Sequence, residues 1–417
     1  MHFLLSTDNP SPMAPLETIE RLVSFHGRAP GTKAERRAAD HLAAELRELG
    51  REASAERIRV RPAYHITHAL HAALAVFGTI LSVRTPVLGA IVLLAVAASM
   101  AGDLTARFYL LRLLMPRVAS ANVTSRGPNP DAPARVVLTA HYDAARTGVI
   151  FARRKRPPGR LLRNLSKLGG PIDVVFWAVA LELALSVLRL FTGGSTLLTT
   201  IQFGPTVLLI GAVILFVDIA LSDVVPGASD NAAGVAAVQE LGRRLAADPP
   251  LHLDTWLVFP GSAEGHMLGM RRWIRDHEGE LDPRRTFFVN VVAVGRGTPR
   301  FVGGEGFVVL EQHDGRLVDL ARSVATGGLE STPLRLRFGT DGVIPVLRGF
   351  SSITVCCTDE HDRIPNHHRP SDSLDQIQPE AVEQTIAFVE ALVRGIDERI
   401  VPAMLPTLAA RPAPAST

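Results

Sequence analysis

Two blocks of the chain are apolar over lengths that match a lipid bilayer. The first block consists of the runs 66–83 and 87–102, which contain no charged side chain, and the second consists of the runs 172–191 and 197–221. Because a bilayer core takes about 20 helical residues, this pattern predicts two transmembrane helical hairpins. For the first block, a helical hairpin buried in a soluble core is the alternative interpretation.

The rest of the chain alternates between helical and strand-like periodicity. Apolar residues recur at helical spacing in segments such as 33–49 and 379–396, whereas 135–140, 255–259 and 352–357 are short apolar runs typical of buried strands. This alternation predicts an α/β fold with a mostly parallel sheet flanked by helices. Each hairpin returns the chain to the side on which it entered the membrane, so the soluble segments can share one sheet.

The predicted organisation is one soluble domain interrupted by the two hairpins. The amphipathic segment 104–115, which contains Arg107 and Arg112, is predicted to lie as a helix on the membrane surface. The Pro- and Ala-rich end of the chain is predicted to be a disordered tail. The boundaries are a first soluble part at 1–64, hairpin one with the surface helix at 65–115, a soluble part at 116–171, hairpin two at 172–221, the last soluble part at 222–400 and the tail at 401–417.

Several ionisable side chains lie within the apolar blocks. Glu182 is central in one predicted span and Asp218 is near the end of another, and carboxylates at such positions mark function or helix pairing. His65, His68 and His71 recur at helical spacing where the first hairpin begins. We interpret them as an interfacial polar face rather than as a metal-binding stripe.

The formal net charge of +3 on 417 residues is close to balanced. Because no basic–aromatic stripe accompanies it, this charge argues against a nucleic-acid partner. The basic cluster 153–167 is instead typical of a positive-inside flank and predicts a soluble domain on the cytoplasmic face.

Cys356 and Cys357 are adjacent and are expected to be buried free thiols. Residues 1–16 lack the pattern of a cleavable signal peptide.

Candidate metal ligands lie in loops beside the predicted strands and helices. Open α/β sheets collect ligand-binding side chains at the carboxyl ends of their strands, so we expect these loops to meet. Asp230 alone is typical of a helix N-cap, because a Ser-Asp-Asn turn precedes a helix there. The candidates are His141, Asp143, Asp230, Glu264 and His368.

Six short motifs surround these residues. They are Arg28-Ala-Pro-Gly, Val136-Val-Leu-Thr-Ala-His-Tyr-Asp, Pro226-Gly-Ala-Ser-Asp-Asn-Ala-Ala-Gly, Gly261-Ser-Ala-Glu-Gly-His-Met-Leu-Gly, Thr340-Asp341 and His368-Arg-Pro-Ser-Asp-Ser. Together they resemble metallopeptidase family twenty-eight, a family of zinc aminopeptidases whose fold is shared with glutaminyl cyclases. The motifs follow the family's order across nearly all of the non-membrane chain, and the resemblance implies a zinc-exopeptidase-like fold.

The resemblance also implies roles for the candidate residues. His141 would bind one zinc ion, and Asp143 would orient its ring. Asp230 would bridge to a second zinc ion, which Glu264 and His368 would complete. Ions in such a site activate water for attack on an amide carbonyl.

Two positions depart from the family's pattern. Ala263 stands where the family has its general-base glutamate, and Val292 stands where it has an aspartate ligand. An alanine cannot take a proton and a valine cannot bind a metal, so we expect one zinc ion rather than two. The expected ligands are Asp230, Glu264 and His368, with His367 leaving the choice of histidine open.

The predicted function is that of a membrane-anchored, zinc-dependent aminopeptidase-like protein with weakened chemistry. It would hydrolyse a peptide or small amide, and membrane lipid is the other expected partner. The alternative is an inactive pseudo-peptidase that binds peptides or acts as a scaffold at the membrane, while a transport role rests only on Glu182 and Asp218. The sequence leaves the oligomeric state open. Candidate substitutes for the missing base are His266, Asp359, Glu360 and His361.

Overall fold

A mixed β-sheet forms the centre of the chain outside its two apolar blocks. The computed structural model describes residues 14–152, 170–326 and 329–409. The strands are β1 (Ala53–Val60), β2 (Val118–Ser125), β3 (Ala134–Thr139), β4 (Leu253–Phe259), β5 (Thr286–Val292), β6 (Thr298–Glu305), β7 (Glu311–Gln312), β8 (Leu334–Leu336) and β9 (Ser351–Thr358). Their order in the sheet is β1-β2-β4-β3-β5-β9-β6-β7, and β8 pairs with β6.

The prediction of a mostly parallel sheet is corrected to a mixed sheet. Strands β4, β3, β5 and β9 are parallel to one another, whereas β1, β2, β6 and β7 add antiparallel pairings at the two sides. The reason is visible in the register of β1 and β2, where Val60 pairs with Val118. Hairpin one returns the chain to the point at which it left the sheet, so it replaces the turn of an antiparallel β-hairpin.

Helices cover both faces of the sheet. The helices are α1 (Ala14–Ser24), α2 (Lys33–Glu48), α3 (Tyr64–Arg84), α4 (Pro86–Leu104), α5 (Pro171–Thr192), α6 (Thr196–Leu221), α7 (Gly234–Ala247), α8 (Leu268–Asp276), α9 (Gly315–Val324), α10 (Val343–Leu347), α11 (Pro379–Gly395) and α12 (Val401–Ala409). Helices α1, α2, α7, α9 and α11 share the larger apolar core with one face, and α8 and α10 pack on the other around Trp256, Trp273 and Phe288. Strands β4, β5 and β9 are buried along their whole length, as expected for strands covered on both faces.

Helices α3 to α6 are long and apolar enough to cross a membrane. They pack together around a separate apolar core that includes Leu93, Met100, Val179 and Leu209. Large apolar side chains on their outer surfaces remain exposed, such as Ile80 at 64%. Large exposed apolar surfaces mark contacts with a membrane or with another protein. The four helices therefore fit the predicted hairpins, both contributed by one chain.

Several polar side chains in these helices, including Glu182, His68 and His71, face the interior of the four-helix unit. Glu182 accepts a hydrogen bond from the Thr206 hydroxyl at 2.9 Å, which joins α5 to α6. His68 and His71 are fully buried, and His71 contacts the Ser99 hydroxyl at 2.8 Å. The expectation of an interfacial polar face is therefore wrong for these two histidines, because α4 covers them.

The predicted surface helix over 104–115 is also corrected. Helix α4 ends at Leu104, and Ala106 then adopts a left-handed conformation with φ 52°. A single short 3₁₀ turn follows at Leu111–Leu114. Arg112 points inward to a buried carboxylate, so this segment does not form the continuous amphipathic face that a surface helix requires.

The prediction of a disordered tail from residue 401 is wrong for residues 401–409. Residues Val401–Ala409 form helix α12. Val401 is fully buried, and Met404 and Leu405 pack against the larger core. These apolar residues gain enough burial to order the segment despite its proline content, whereas 410–417 lie outside the described residues. The basic cluster 153–167 also lies outside them.

Candidate metal centre

The turn that carries Asp230 is held by buried hydrogen bonds. It forms the irregular segment Ala228–Ala233 just before α7. The backbone amides of Ser229 and Asp230 donate to the two carboxylate oxygens of Asp372, at 2.8 and 3.0 Å. These hydrogen bonds fix the backbone from which the Asp230 side chain projects. The carboxylate of Asp230 is itself buried.

Arg28 joins this turn to the loop that follows β3. Its guanidinium donates to the backbone oxygens of Pro226 and Gly227, both at 2.6 Å, and to that of Tyr142 at 2.9 Å. Burial lowers the pKa of Arg28 to about 10, so the group stays charged at neutral pH. The first of the six motifs therefore supports the site by holding two of its loops together.

His141 and Asp143 lie just beyond the end of β3. The Nε2 atom of His141 is 3.5 Å from Oδ1 of Asp230, and its Nδ1 atom is 3.5 Å from Oδ1 of Asp143. Asp143 also accepts hydrogen bonds from the backbone amides of Ala263 and Glu264, at 3.1 and 3.0 Å. Burial opposes the charged ring, but the two aspartates outweigh it and raise the pKa of His141.

Glu264 and two adjacent histidines complete the cluster. The Nε2 atom of His368 lies 3.4 Å from Oε2 of Glu264 and 3.8 Å from Oδ2 of Asp230. His367 lies at the same distance, 3.8 Å, from that oxygen of Asp230, and its ring stacks on His368 with centroids 3.9 Å apart. Burial and the neighbouring His368 lower the pKa of His367 to about 4, so its ring is neutral and can offer a lone pair.

The donor atoms of these side chains converge closely enough to hold a metal ion. Two groups, His141 with Asp230 and Glu264, and Asp230 with His367 and His368, each have their ligand atoms within 4.8 Å of one another. Imidazole nitrogen and carboxylate oxygen are the donors that zinc accepts. The structure thus brings together the four predicted ligands and adds His367, which the sequence analysis left open.

Ala263 and Val292, the two positions predicted to depart from the pattern of family twenty-eight, carry apolar side chains. Ala263 contributes its backbone amide to Asp143 and presents only a methyl group. Val292 is buried in a small apolar cluster with Val302 and Cys356. Neither position supplies a proton acceptor or a metal donor.

His266 does not fit the role of a substitute base. Its Nε2 atom is 2.7 Å from the backbone oxygen of Asp103, and its ring stacks on Tyr64 with centroids 5.0 Å apart. Burial, together with the charge of Arg112, lowers the pKa of His266 to about 3. The other candidates, Asp359, Glu360 and His361, form the turn after β9, where Asp359 accepts hydrogen bonds from backbone amides of that turn.

Asp341 is the functional candidate that the sequence analysis did not single out. Its side chain is only 2% exposed, and neither carboxylate oxygen has a hydrogen-bond partner within the described part of the chain. Burial raises the pKa of Asp341 to about 7, opposed by His141 and reinforced by carboxylates that include Asp143 and Glu264. The Thr340-Asp341 motif was the available signal, but an orphaned carboxylate is recognisable only in three dimensions.

Comparison with protein-family models finds one match in this chain. Residues 215–393 match the model of peptidase family M28. This finding confirms the resemblance for the segment that carries Asp230, Glu264 and His368. No curated protein gives a significant sequence match to the chain.

Solved structures with a similar fold cover nearly the whole chain. A zinc-dependent exopeptidase from Parabacteroides distasonis has 13% identity and a TM-score of 0.54, with 93% of this chain and 98% of that one covered. A glutaminyl cyclase from Bacteroides thetaiotaomicron has 14% identity and a TM-score of 0.54, over 92% and 97%. A zinc aminopeptidase from Bacillus subtilis has 16% identity and a TM-score of 0.53, over 92% and 94%. At these identities the likeness is one of fold.

The buried carboxyl group of Asp341 predicts a pH-dependent stability. Its pKa is about 7 in the folded, metal-free protein and about 3.9 in an unfolded chain. The folded state therefore binds more protons between these values, and the free energy of unfolding falls as the pH rises from about 4 to 7. We expect Asp341→Asn to raise that free energy more at pH 8 than at pH 5, by on the order of 2 kcal/mol.

Denaturant unfolding of the metal-free protein at both pH values measures this difference. Asp359→Asn is the matched control, and its effect should be the same at pH 5 and pH 8. Equal effects of Asp341→Asn at the two pH values would show that the folded protein does not hold this carboxyl group in its neutral form.

Proposed function

We propose that this protein is a membrane-anchored, zinc-dependent aminopeptidase-like hydrolase that cleaves peptides or small amides. The observation that carries the proposal is the convergence of carboxylate and imidazole donors, remote in sequence, in a fold shared with zinc exopeptidases. The donors suit zinc, and Asp230 belongs to both of the groups that could hold an ion.

The proposed zinc ligands are Asp230, Glu264 and His368. The Nε2 atom of His368 lies 3.8 Å from Asp230 and 3.4 Å from Glu264, which supports a shared ion. The two groups whose donor atoms lie within 4.8 Å of one another divide this set, with Glu264 beside His141 and His368 beside His367. His141 lies on another side of Asp230, where Asp143 fixes its ring, and His367 is an alternative imidazole donor. When bound, zinc supplies Lewis acidity that makes water nucleophilic and polarises the amide carbonyl.

Asp341 is the proposed general base in place of the missing glutamate. It is a buried carboxylate whose charge interacts with His141, Asp143 and Glu264, and Ala263 and His266 do not fit the role. A pKa of about 7 matches a base that must be half-ionised near neutral pH. In this role Asp341 takes a proton from the attacking water and returns it to the departing amine.

The alternative function is that of a pseudo-peptidase that binds peptides without cleaving them. The observation in its favour is the pair of apolar side chains at Ala263 and Val292, which remove the family's usual base and one ligand. The fold and donor cluster are common to both functions. Turnover of an aminoacyl amide distinguishes them.

The proposed location is a multi-pass arrangement with the soluble domain on the cytoplasmic face. Exposed arginines on the soluble side, Arg107 and Arg117, support this orientation under the positive-inside rule. Arg112 adds no support, because it is buried in an ion pair. At the opposite ends of the helices, Arg189 is buried and Arg84 is exposed.

The proposed ligand set predicts about one zinc ion per chain. Asp230→Ala should abolish tight binding, because it removes the carboxylate common to both donor groups. Elemental analysis after dialysis against a weak chelator measures the stoichiometry. Asp359→Ala is the control and should leave it unchanged. Two tightly held ions in the unaltered protein would contradict a single site, and full retention in Asp230→Ala would remove this residue from the ligand set.

The proposed base predicts a specific loss of rate. We expect Asp341→Asn to lower the turnover of an aminoacyl amide by about 10²–10⁴-fold while zinc stays bound, because proton transfer is lost and the proposed ligands remain. Steady-state kinetics with zinc analysis of the same sample gives both values. Unchanged turnover would exclude Asp341 as the base, and a zinc-loaded unaltered protein without turnover would favour the pseudo-peptidase.

The proposed orientation predicts which side a protease reaches. In sealed vesicles with the cytoplasmic face outward, added trypsin should cleave the soluble domain without detergent. In vesicles of the opposite orientation, cleavage should require detergent. The reverse pattern would place the soluble domain on the other side of the membrane.

A further inference from the structure

A buried ion pair lies where hairpin one meets the loop of Glu264. Arg112 and Asp103 are each 1% exposed, and they pair through two contacts, Nε to Oδ2 at 2.9 Å and Nη2 to Oδ1 at 2.5 Å. Asp103 is next to last in the apolar helix α4. A charge pair removed from water in this way is stable only with good geometry and further hydrogen bonds. The other hydrogen bonds of Arg112 and Asp103 therefore show which parts of the protein the pair holds together.

The third nitrogen of the Arg112 guanidinium, Nη1, reaches the loop of Glu264. The Nη1 atom of Arg112 donates to the backbone oxygen of Gly265 at 2.7 Å. Gly265 directly follows Glu264, the proposed zinc ligand. Because the guanidinium is planar and two of its nitrogens are fixed by Asp103, the direction of this third hydrogen bond is fixed as well.

A second contact joins the same loop to the same helix end. His266 lies 2.7 Å from the backbone oxygen of Asp103, and since that atom only accepts, Nε2 of His266 is the donor. The ring also stacks on Tyr64, the first residue of α3. Both membrane helices of hairpin one thus contact the residue two positions after Glu264.

The backbone between these contacts has a conformation that needs external support. Ser262, His266 and Met267 all have positive φ angles, of 52°, 81° and 57°. Non-glycine residues adopt this region at a cost, and they do so in a cluster only where surrounding contacts fix them. Asp143 fixes the loop on one side through the amides of Ala263 and Glu264, and the Arg112–Asp103 pair fixes it on the other.

We propose that hairpin one is part of the metal site, with Arg112 and Asp103 as positioning residues that set the place of Glu264. The consequence is that the zinc affinity of the soluble domain depends on an ion pair at the end of a membrane helix. This inference rests on the proposed zinc site and adds to it a dependence of zinc affinity on the end of hairpin one. A hairpin that served only as an anchor would leave the affinity independent of this pair.

The test is the zinc affinity of Arg112→Lys in the full-length protein in lipid nanodiscs. Lysine keeps the positive charge but cannot contact Asp103 twice and Gly265 at once. Competition with a chromophoric zinc chelator should show affinity about 10–100-fold weaker than in the unaltered protein. Arg107→Lys is the matched control. That arginine is 58% exposed and pairs with Glu311, so its replacement should leave the affinity unchanged.

A second variant covers the case in which Arg112→Lys does not fold. His266→Phe keeps an aromatic ring against Tyr64 but removes the hydrogen bond to Asp103, and its zinc affinity should also fall. A lower melting temperature with unchanged zinc affinity of the folded protein, in either variant, would overturn the proposal, because the pair would then only stabilise the fold.

Hydrogen exchange separates this inference from the proposed function. If the unaltered protein binds no zinc, the proposed metal site fails, but the loop can still be measured in the metal-free protein. Amides of residues 262–267 should exchange faster in Arg112→Lys than in the unaltered protein, while those of β5 should not change. Equal exchange in the loop would overturn the positioning role whether or not zinc binds.

Discussion

The carboxylate of Asp143 is the contact on which the site depends. It receives the backbone amides of Ala263 and Glu264 and lies beside the ring of His141. It therefore connects the loop after β3 to the loop after β4, which belong to adjacent parallel strands. Because the carboxyl ends of parallel strands meet at one edge of a sheet, this short connection is enough to align two candidate ligands.

Several buried carboxyl groups lie in the loops at this edge of the sheet. The pKa values of Asp341 and Asp372 are both raised to about 7, mainly by burial, and neighbouring carboxylates add to the effect. Arg28 and the ring of His141 supply positive charge nearby. Crowded carboxylates of this kind are stabilised by a divalent cation, which is the electrostatic reason why a metal ion suits the site.

The proximity of the candidate residues was predictable because their motifs lie in loops beside the predicted strands. His141, Asp230, Glu264 and His368 were singled out by these positions and by an order of motifs that resembles metallopeptidase family twenty-eight. The orphaned carboxylate of Asp341 was not predictable, because its significance lies in the partners that it lacks. Similarly, His266 was a candidate base from the sequence, and only the structure shows that its Nε2 atom donates to the backbone oxygen of Asp103 at the end of α4.

The errors in the fold have one cause, which is that periodicity describes a segment and not its neighbours. The antiparallel side of the sheet follows from where hairpin one returns the chain, and the burial of His68 follows from the packing of α4. The sequence pattern predicted that Arg112 lies on the membrane surface. In the structure its charge is instead paired with Asp103 in the interior, a contact that the helical pattern of the segment does not reveal. In each case a contact between elements overrides the local pattern.

We propose that donors from separate loops share one zinc ion, and anomalous diffraction at the zinc absorption edge can locate that ion in crystals grown with zinc. We expect one strong peak, within coordination distance of Asp230, Glu264 and His368. Two peaks of equal occupancy, or no peak among these three side chains, would contradict it.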